Sequence, residues 1–136
     1  MPHPTRPPIV CVAAAVRHSR TDGRILIGFN KKAKRYQLPG GKVLAGETLQ
    51  QALARELWEE TGVETYMPAP FGHKEHPEGF VVMLYMALAR DPTWAQIREP
   101  DLYDDVRWCP ADNLPADFPV MDRAVALAAS VSMIPM

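Results

Sequence analysis

The chain has 136 residues, of which 47% are hydrophobic and 23% are charged, and its formal net charge is −1 at pH 7. This length fits a single domain with its own hydrophobic core. The balanced charge gives no reason to expect binding to nucleic acid or to an anionic membrane, and no apolar run approaches the roughly 20 residues that a membrane-spanning helix needs. Cys11 and Cys109 lie far apart and form no metal-binding spacing, so we expect free thiols and a cytoplasmic protein.

The first part of the chain predicts a flexible tail followed by a β-hairpin. Residues 1–8 are rich in proline and contain no apolar signal-peptide core. Ile9–Val16 and Arg24–Phe29 are short apolar runs, and the turn cluster between them ends in Asp22-Gly23. This arrangement indicates two strands joined by a hairpin. The basic segment Asn30–Tyr36 that follows is predicted to be a loop.

A bend and a helix come next, and they contain most of the candidate functional residues. Gln37–Val43 is typical of a short strand that is broken by the bend at Pro39-Gly40-Gly41. Glu47–Thr61 is the clearest helix in the sequence. Thr48 is a suitable N-cap, and Gly62 stands where a helix-ending glycine belongs.

The second half of the chain predicts two more strands and a second helix. Phe80–Ala89 is long and apolar enough for a central strand, and Val106–Cys109 is a shorter strand candidate. The charged segment Asp91–Leu102 between them is predicted to be a loop, and no regular element is predicted between the first helix and Phe80. Val120–Val131 is predicted to form a helix because apolar residues recur in it at helical spacing, namely Val120, Ala124, Leu127, Ala128 and Val131. Strands with two interspersed helices predict one α/β or α+β sandwich over residues 9–136.

The first helix has an unusual distribution of glutamates. On a wheel of about 100° per residue, Glu56 and Glu60 fall within about 20° of the apolar Leu49, and Glu59 falls at about −80°. The inward face therefore begins apolar and turns acidic. Buried carboxylates are costly unless they are paired or bound to metal, and negative charge is unfavourable at the C-terminal end of a helix. A hard divalent cation, Mg²⁺ or alternatively Mn²⁺, would offset these costs.

The spacing around this helix matches a known family. Gly41 is followed by five residues, then Glu47, then seven residues, and then the run from Arg55 to Val63, which reads Arg-Glu-Leu-Trp-Glu-Glu-Thr-Gly-Val. This segment resembles the Nudix box of the Nudix (MutT-like) hydrolases, with every fixed position present at the expected spacing. The resemblance implies the Nudix fold, in which a mixed β-sheet lies between helices.

The resemblance also implies roles for individual residues. Arg55 would hold the acidic cluster in place, Glu47 would support the cluster or the metal, Gly41 would allow the tight bend, and Lys42 would contact phosphate. The implied metal ligands are the Gly40 carbonyl and the carboxylates of Glu56, Glu59 and Glu60. Such a metal neutralises a diphosphate and holds water for in-line attack at phosphorus.

The general base and the phosphate contacts stay open at this point. Glu59 or Glu60 of the box could act as the base, and Glu99 is the best candidate in a later loop. Arg35 ends a basic run that could meet substrate phosphates, although a solvated surface cluster is the simpler interpretation.

The box does not choose among substrates. The default expectation is a nucleoside triphosphate, oxidised or of the deoxy series, that is cleaved to a monophosphate and pyrophosphate. ADP-ribose, nucleotide sugars and dinucleoside polyphosphates are alternatives, and a non-catalytic nucleotide-binding regulator is a further one. RNA decapping would call for a more basic surface than a net charge of −1 offers. A homodimer is expected by resemblance.

Overall fold

The computed structural model describes residues 9–66 and 68–131, so the predicted tail, residues 1–8, lies outside the described residues. Within this part of the chain, no helix is long and apolar enough to cross a membrane. The regular elements, in chain order, are β1 (Ile9–Arg17), β2 (Ile25–Asn30), β3 (Arg35–Gln37), β4 (Gly40–Lys42), α1 (Leu49–Thr61), β5 (Ala69–His76), β6 (Phe80–Leu88), β7 (Tyr103–Cys109) and α2 (Val120–Val131).

The strands form one mixed sheet in which the central path runs β3-β2-β1-β6-β5. β1 and β6 are parallel neighbours along their whole length, whereas the other pairs are antiparallel. The predicted hairpin is present, but β1 and β2 pair only at Arg17 and Ile25 and then diverge. β4 pairs with the open end of β1, and β3 pairs with the open end of β2. The chain between β3 and β4 therefore passes through the fork between the first two strands.

The two helices cover opposite faces of this sheet. Alternation along β1 sends Val12 and Ala14 into the core beneath α1, and Ala13 and Ala15 into the core beneath α2. Every one of these side chains is at least 93% buried, which is the pattern of a strand covered on both faces. The predicted sandwich with a mixed sheet between helices is confirmed.

The ends of α1 follow the sequence closely. The helix begins at Leu49, two residues later than predicted, because Thr48 is the N-cap and its side chain accepts a hydrogen bond from the Gln51 backbone. The Gln51 side chain accepts in return from the Thr48 N–H, which completes a capping box. Gly62 ends the helix with φ at 71°, a left-handed conformation that favours glycine.

Three strand predictions need correction. β5 spans Ala69–His76, where no regular element is predicted, because it is an edge strand with mostly exposed polar residues and shows no apolar alternation. β3 lies partly within the segment Asn30–Tyr36, which is predicted to be a loop. β7 begins at Tyr103 rather than at Val106, since polar residues of its first half pair with β2.

The second helix spans Val120–Val131 as predicted, but the apolar residues that indicate it are mostly not the ones that it buries. Val120 and Val131 are each 82% exposed and Leu127 is 44% exposed. The residues of α2 that are buried against the sheet are instead Asp122, Val125, Ala126 and Ala129. Small alanines let the helix approach the sheet closely, so the larger apolar side chains are left on the outside.

Candidate functional site

Strand β4 and the second half of α1 lie against each other and form the acidic site. A Cβ atom at Gly41 would lie 2.5 Å from the carboxyl carbon of Glu56, so only glycine lets the strand come this close. The N–H of the neighbouring Gly40 donates a hydrogen bond to Glu60 Oε1 at 3.2 Å. The bend that precedes the helix in sequence therefore becomes the wall of the site in space.

Arg55 contacts most of the acidic residues in this site. Its Nε and Nη2 donate to the two Glu47 oxygens at 2.7 and 2.9 Å. Its Nη1 donates to Glu56 Oε1 at 2.9 Å and to Glu59 Oε2 at 3.3 Å. Nη2 also donates to the Lys42 carbonyl at 2.9 Å, which fixes the arginine to β4. These bonds hold the pKa of Glu47 below its usual value and keep the carboxylates in fixed positions.

Glu60 is the most deeply buried acid of the site. It is 2% exposed, and the Tyr103 hydroxyl donates to Glu60 Oε1 at 2.9 Å. Burial and a hydrogen bond shared with the Glu56 carboxyl raise the pKa of Glu60 to about 9, against the opposing effect of the Tyr103 and Gly40 donors. No cationic side chain among the described residues bonds to Glu60.

Glu59 does not lie where the helical wheel predicts. Its side chain is 46% exposed, whereas those of Glu56 and Arg55 are 14% and 24% exposed. At about −80° the residue sits at the edge of the inward face, and its carboxylate turns outward to Arg55. The inward face of α1 thus carries the buried Glu60 and the partly buried Glu56, and Glu59 borders it from the solvent side.

The side chains of this site can be compared with those that a divalent cation needs as ligands. Within residues 9–66 and 68–131, no three His, Cys, Asp or Glu side chains converge on one point as a closed metal site would require. The carboxyl groups of Glu56 and Glu60 nevertheless lie close enough for a hydrogen bond between them to raise the pKa of the buried Glu60. Two carboxyls in this arrangement hold a proton between them, and a hard cation can take its place. The residues fit a metal in charge and chemistry.

The other predicted site residues lie around this pair. Glu99 stands in the turn before β7, and burial, followed by the negative charges of Glu56 and Glu59, raises its pKa. Lys42 is exposed on β4. Arg35 is exposed on β3 and lines a cavity at the end of the site. Glu99 therefore lies close enough to the box glutamates to be affected by their charge, and Arg35 shares a cavity lining with Gly40 and Gly41.

A cavity of about 270 Å³ opens beside Gly40 and Gly41. Deep in it, Lys74 of β5 donates to the Asp122 carboxylate of α2, and Asp122 is 3% exposed. The polar or glycine residues of the lining are Arg35, Gln37, Gly40, Gly41, Lys74, His76 and Asp122. Sequence analysis missed Lys74 and Asp122, because they lie 48 residues apart and neither belongs to a recognisable motif.

One wall of the cavity is aromatic. The rings of His76 and Phe80 stack with centroids 4.1 Å apart and planes 10° from parallel. The Glu78 N–H donates to His76 Nδ1 at 3.1 Å, so the imidazole proton of the neutral ring is on Nε2. The cavity thus combines an ion pair, an aromatic wall and a neighbouring acidic cluster.

Residues 9–128 match the family described as NUDIX domain. The chain is 34% identical over 121 residues to the NAD-capped RNA hydrolase NudC of Vibrio vulnificus, an alignment that covers 86% of this chain and 44% of that protein. It is 69% identical over 32 residues, 24% of this chain and 23% of the relative, to a Mycobacterium tuberculosis protein provisionally named 8-oxo-dGTP diphosphatase 2. The chain spans about half the length of the curated relatives it matches, or less.

Solved structures share the fold over nearly the whole chain. The MutT NUDIX hydrolase of Burkholderia pseudomallei superposes with a TM-score of 0.73 at 27% sequence identity. The match covers 93% of this chain and 100% of that one. The similarity therefore includes the acidic helix, the sheet and the second helix.

Proposed function

The chain belongs to the NUDIX family, and on that premise we propose that it is a metal-dependent pyrophosphohydrolase that cleaves a diphosphate linkage in a nucleotide. The observation that carries the proposal is the buried Glu60 carboxyl, which has no cationic partner among the described residues, shares a hydrogen bond with Glu56 and lies beside an open cavity. A purely structural buried carboxyl would be expected to have a basic partner. A carboxyl in a cleft whose pKa is strongly raised by burial and by a second acid is typical of a functional site.

The proposed cofactor is Mg²⁺, with Mn²⁺ as the alternative. Members of the family generally use divalent metal ions, and carboxylate oxygens suit a hard cation. Glu56 and Glu60 would hold the ion, with Glu59 and the Gly40 carbonyl as further ligands. The bound ion would supply charge neutralisation on the diphosphate and an activated water.

The protein's own side chains would hold the acidic cluster in place, contact the substrate phosphates and act as the general base. Arg55 keeps Glu47 and Glu56 in place through its hydrogen bonds. Lys42 and Arg35 provide positive charge at the rim, where substrate phosphates would lie. The general base is Glu99 or a glutamate of the box. A Glu99→Gln variant that keeps KM and Mn²⁺ affinity but loses kcat assigns the base to Glu99, and an unchanged kcat assigns it to the box.

The cavity next to the acidic site is the proposed place for the base of the nucleotide. Its volume of about 270 Å³ is below the roughly 300–1,000 Å³ that hold whole drug-sized ligands, so it fits one ring system rather than a complete nucleotide. The stacked His76 and Phe80 offer an aromatic wall. Lys74 and Asp122 offer a donor and an acceptor at the bottom.

The proposed substrate is a nucleoside triphosphate that is cleaved to a monophosphate and pyrophosphate. A cavity for a single base beside one diphosphate-binding cluster supports this choice. The partial similarity to a protein named for 8-oxo-dGTP cleavage supports it as well. ADP-ribose, a nucleotide sugar or a dinucleoside polyphosphate would need a second pocket for the remaining group. A homodimer is proposed as the assembly.

The first test is a substrate panel with Mg²⁺ that contains common and oxidised nucleoside triphosphates, ADP-ribose, nucleotide sugars, dinucleoside polyphosphates and a short NAD-capped RNA. Phosphate is measured after addition of pyrophosphatase or phosphatase. Turnover of a triphosphate with release of pyrophosphate supports the proposal, and turnover of a different compound alone moves the substrate class.

Two variants accompany the panel. Glu60→Gln removes the buried acid, and Glu64→Gln changes an exposed glutamate just beyond the helix and serves as the matched control. We expect only Glu60→Gln to lose turnover. A folded parent that binds nucleotide and turns over no member of the panel would favour the alternative of a non-catalytic regulator.

A further inference from the structure

Tyr103 is buried at the start of β7 and contacts the acidic site from behind. It is 1% exposed, and its hydroxyl donates to Glu60 Oε1 at 2.9 Å. The Gly40 N–H donates to the same oxygen at 3.2 Å. One oxygen of the Glu60 carboxyl is therefore held by two donors from two different strands.

Two donors on one oxygen determine what the other oxygen can do. With Oε1 engaged by Tyr103 and Gly40, the second oxygen of Glu60 is the one left free of these two donors and available to a cation. A carboxylate that can rotate would lose this alignment, because rotation exchanges its two oxygens. The pair of donors thus fixes which side of Glu60 is presented to a cation.

The hydroxyl of Tyr103 is itself held in place. A Cβ atom at Gly28 of β2 would lie 2.8 Å from Tyr103 Cε1, so the ring occupies space that any other residue at position 28 would fill. The Gln37 side chain bonds to the hydroxyl, and the Tyr103 N–H donates to the Glu99 carbonyl at 3.0 Å. Gly28 therefore gives the ring its space, Gln37 contacts the hydroxyl and Glu99 holds the backbone.

We propose that Tyr103 is a positioning residue that orients Glu60 for binding of the divalent cation, acting through the hydrogen bond to Oε1. The inference rests on the proposed function only in assuming that Glu60 binds metal. Hydrogen-bond partners of metal ligands orient those ligands, and losing one such partner typically lowers metal affinity or activity by about 10–100-fold. Tyr103 belongs to no recognised motif, and its link to Glu60 spans 43 residues of sequence.

The test uses Tyr103→Phe, which removes the hydroxyl and keeps the ring. Mn²⁺ binding to the full chain is measured directly by electron paramagnetic resonance and calorimetry, beside thermal unfolding without metal. We expect the Kd for Mn²⁺ to rise about 10–100-fold. Activity at low Mg²⁺ should fall, and saturating Mg²⁺ should restore part of it, which loss of a merely structural bond would not produce.

Tyr36→Phe is the matched control. The Tyr36 hydroxyl donates to Asp105 at 2.7 Å on the same sheet, away from the acidic pair. We expect Tyr36→Phe to alter thermal stability and leave Mn²⁺ affinity at the parent value. Gly28→Ala is a second variant that displaces the Tyr103 ring while keeping its hydroxyl, and it should weaken Mn²⁺ binding in the same direction.

The outcomes separate two failures. If the parent binds Mn²⁺ and both Tyr103→Phe and Gly28→Ala bind it equally well, Tyr103 is a structural residue and the inference is wrong. If the parent shows no Mn²⁺ binding at all, the metal-dependent function falls first, and the inference falls with it. Weakened binding in both variants, with Tyr36→Phe unchanged, supports the inference.

Discussion

Two carboxylates are almost fully buried on the two helices that flank the sheet, and their surroundings differ. Asp122 of α2 is 3% exposed and pairs with the Lys74 ammonium. Glu60 of α1 is 2% exposed, and its partners are a tyrosine hydroxyl, a backbone amide and another carboxyl. The fold pairs the first carboxylate with a lysine ammonium, whereas no cationic side chain within residues 9–66 and 68–131 bonds to the second. Burial of an acid therefore indicates little alone, whereas a missing counter-ion points to a ligand.

The largest effect in this comparison is expected for the Glu60→Gln variant. We expect kcat to fall by about 10²–10³-fold, the cost of removing one preorganised electrostatic contact at a reacting centre. Without metal, the variant should be at least as stable as the parent at pH 8, because the amide is neutral at every pH, whereas the buried Glu60 carboxyl must take up a proton on folding to be neutral at this pH. Turnover assays measure the change in kcat, and thermal unfolding without metal measures the change in stability. A large loss of metal-free stability would mean that Glu60 is mainly structural.

The opposite behaviour is expected when Lys74 is changed to methionine. This change leaves Asp122 buried without its counter-ion and should lower the free energy of unfolding by about 2 kcal/mol. Breaking fully buried pairs costs about 3–5 kcal/mol, and the figure is lower here because the Lys74 side chain is 25% exposed. Urea unfolding measures the change. Lys31→Met, which removes a surface pair with Asp104 at 3.6 Å, is the control and should cost below about 0.5 kcal/mol.

The affinity of Glu60 for metal is expected to depend on pH. The pKa of Glu60 is about 9 in the fold and 4.5 as the ordinary value. Stability from the neutral acid is therefore present below pH 4.5 and is lost progressively as the pH rises to about 9. Metal requires the deprotonated carboxylate, so its affinity should rise about tenfold per pH unit between pH 7 and 8. Calorimetric titration of Mg²⁺ at several pH values checks the slope, and a flat profile would contradict it.

The smallest effect is expected when both members of the α2 pair are replaced. The double variant Lys74→Met with Asp122→Leu leaves no unpaired charge, and its stability should lie within about 1 kcal/mol of the parent. Unfolding in urea, run beside the single Lys74→Met variant, gives the coupling between the two residues. A double variant as unstable as the single one would show that packing, rather than charge, governs this position.

The parts of the molecule that were predicted correctly are those with local signals. Thr48 and Gly62 are cap residues whose chemistry acts within one turn of helix, so both ends of α1 follow from neighbours in the sequence. The spacing of the box likewise indicates the family, which the match of residues 9–128 confirms. β5 was missed because Ala69–His76 is an edge strand whose exposed residues carry no apolar alternation. Strand identity there depends on pairing with β6, which is a tertiary contact.

The directions of some side chains on the two helices could not be predicted, because they depend on tertiary packing. The apolar stripe of α2 pointed to Val120 and Leu127, yet close approach to the sheet selects the small Ala126 and Ala129. Glu59 was placed inward by the helical wheel, and its marginal angle allowed Arg55 to draw it outward. Tyr103 and Lys74 could not be assigned from sequence, since each acts through a partner more than 40 residues away.

Arg17 at the end of β1 has a consequence for how the chain is made. Its guanidinium donates to the Ser130 carbonyl at 2.9 Å and to the Ala129 carbonyl at 3.4 Å, in the last turn of α2. These bonds span 113 and 112 residues, so the first strand obtains its final partners only after α2 has left the ribosome. Until then, the Arg17 side chain at the end of β1 cannot form these two bonds. We therefore expect nascent chains that stop before α2 to be protease-sensitive, and native protection to come in one late step.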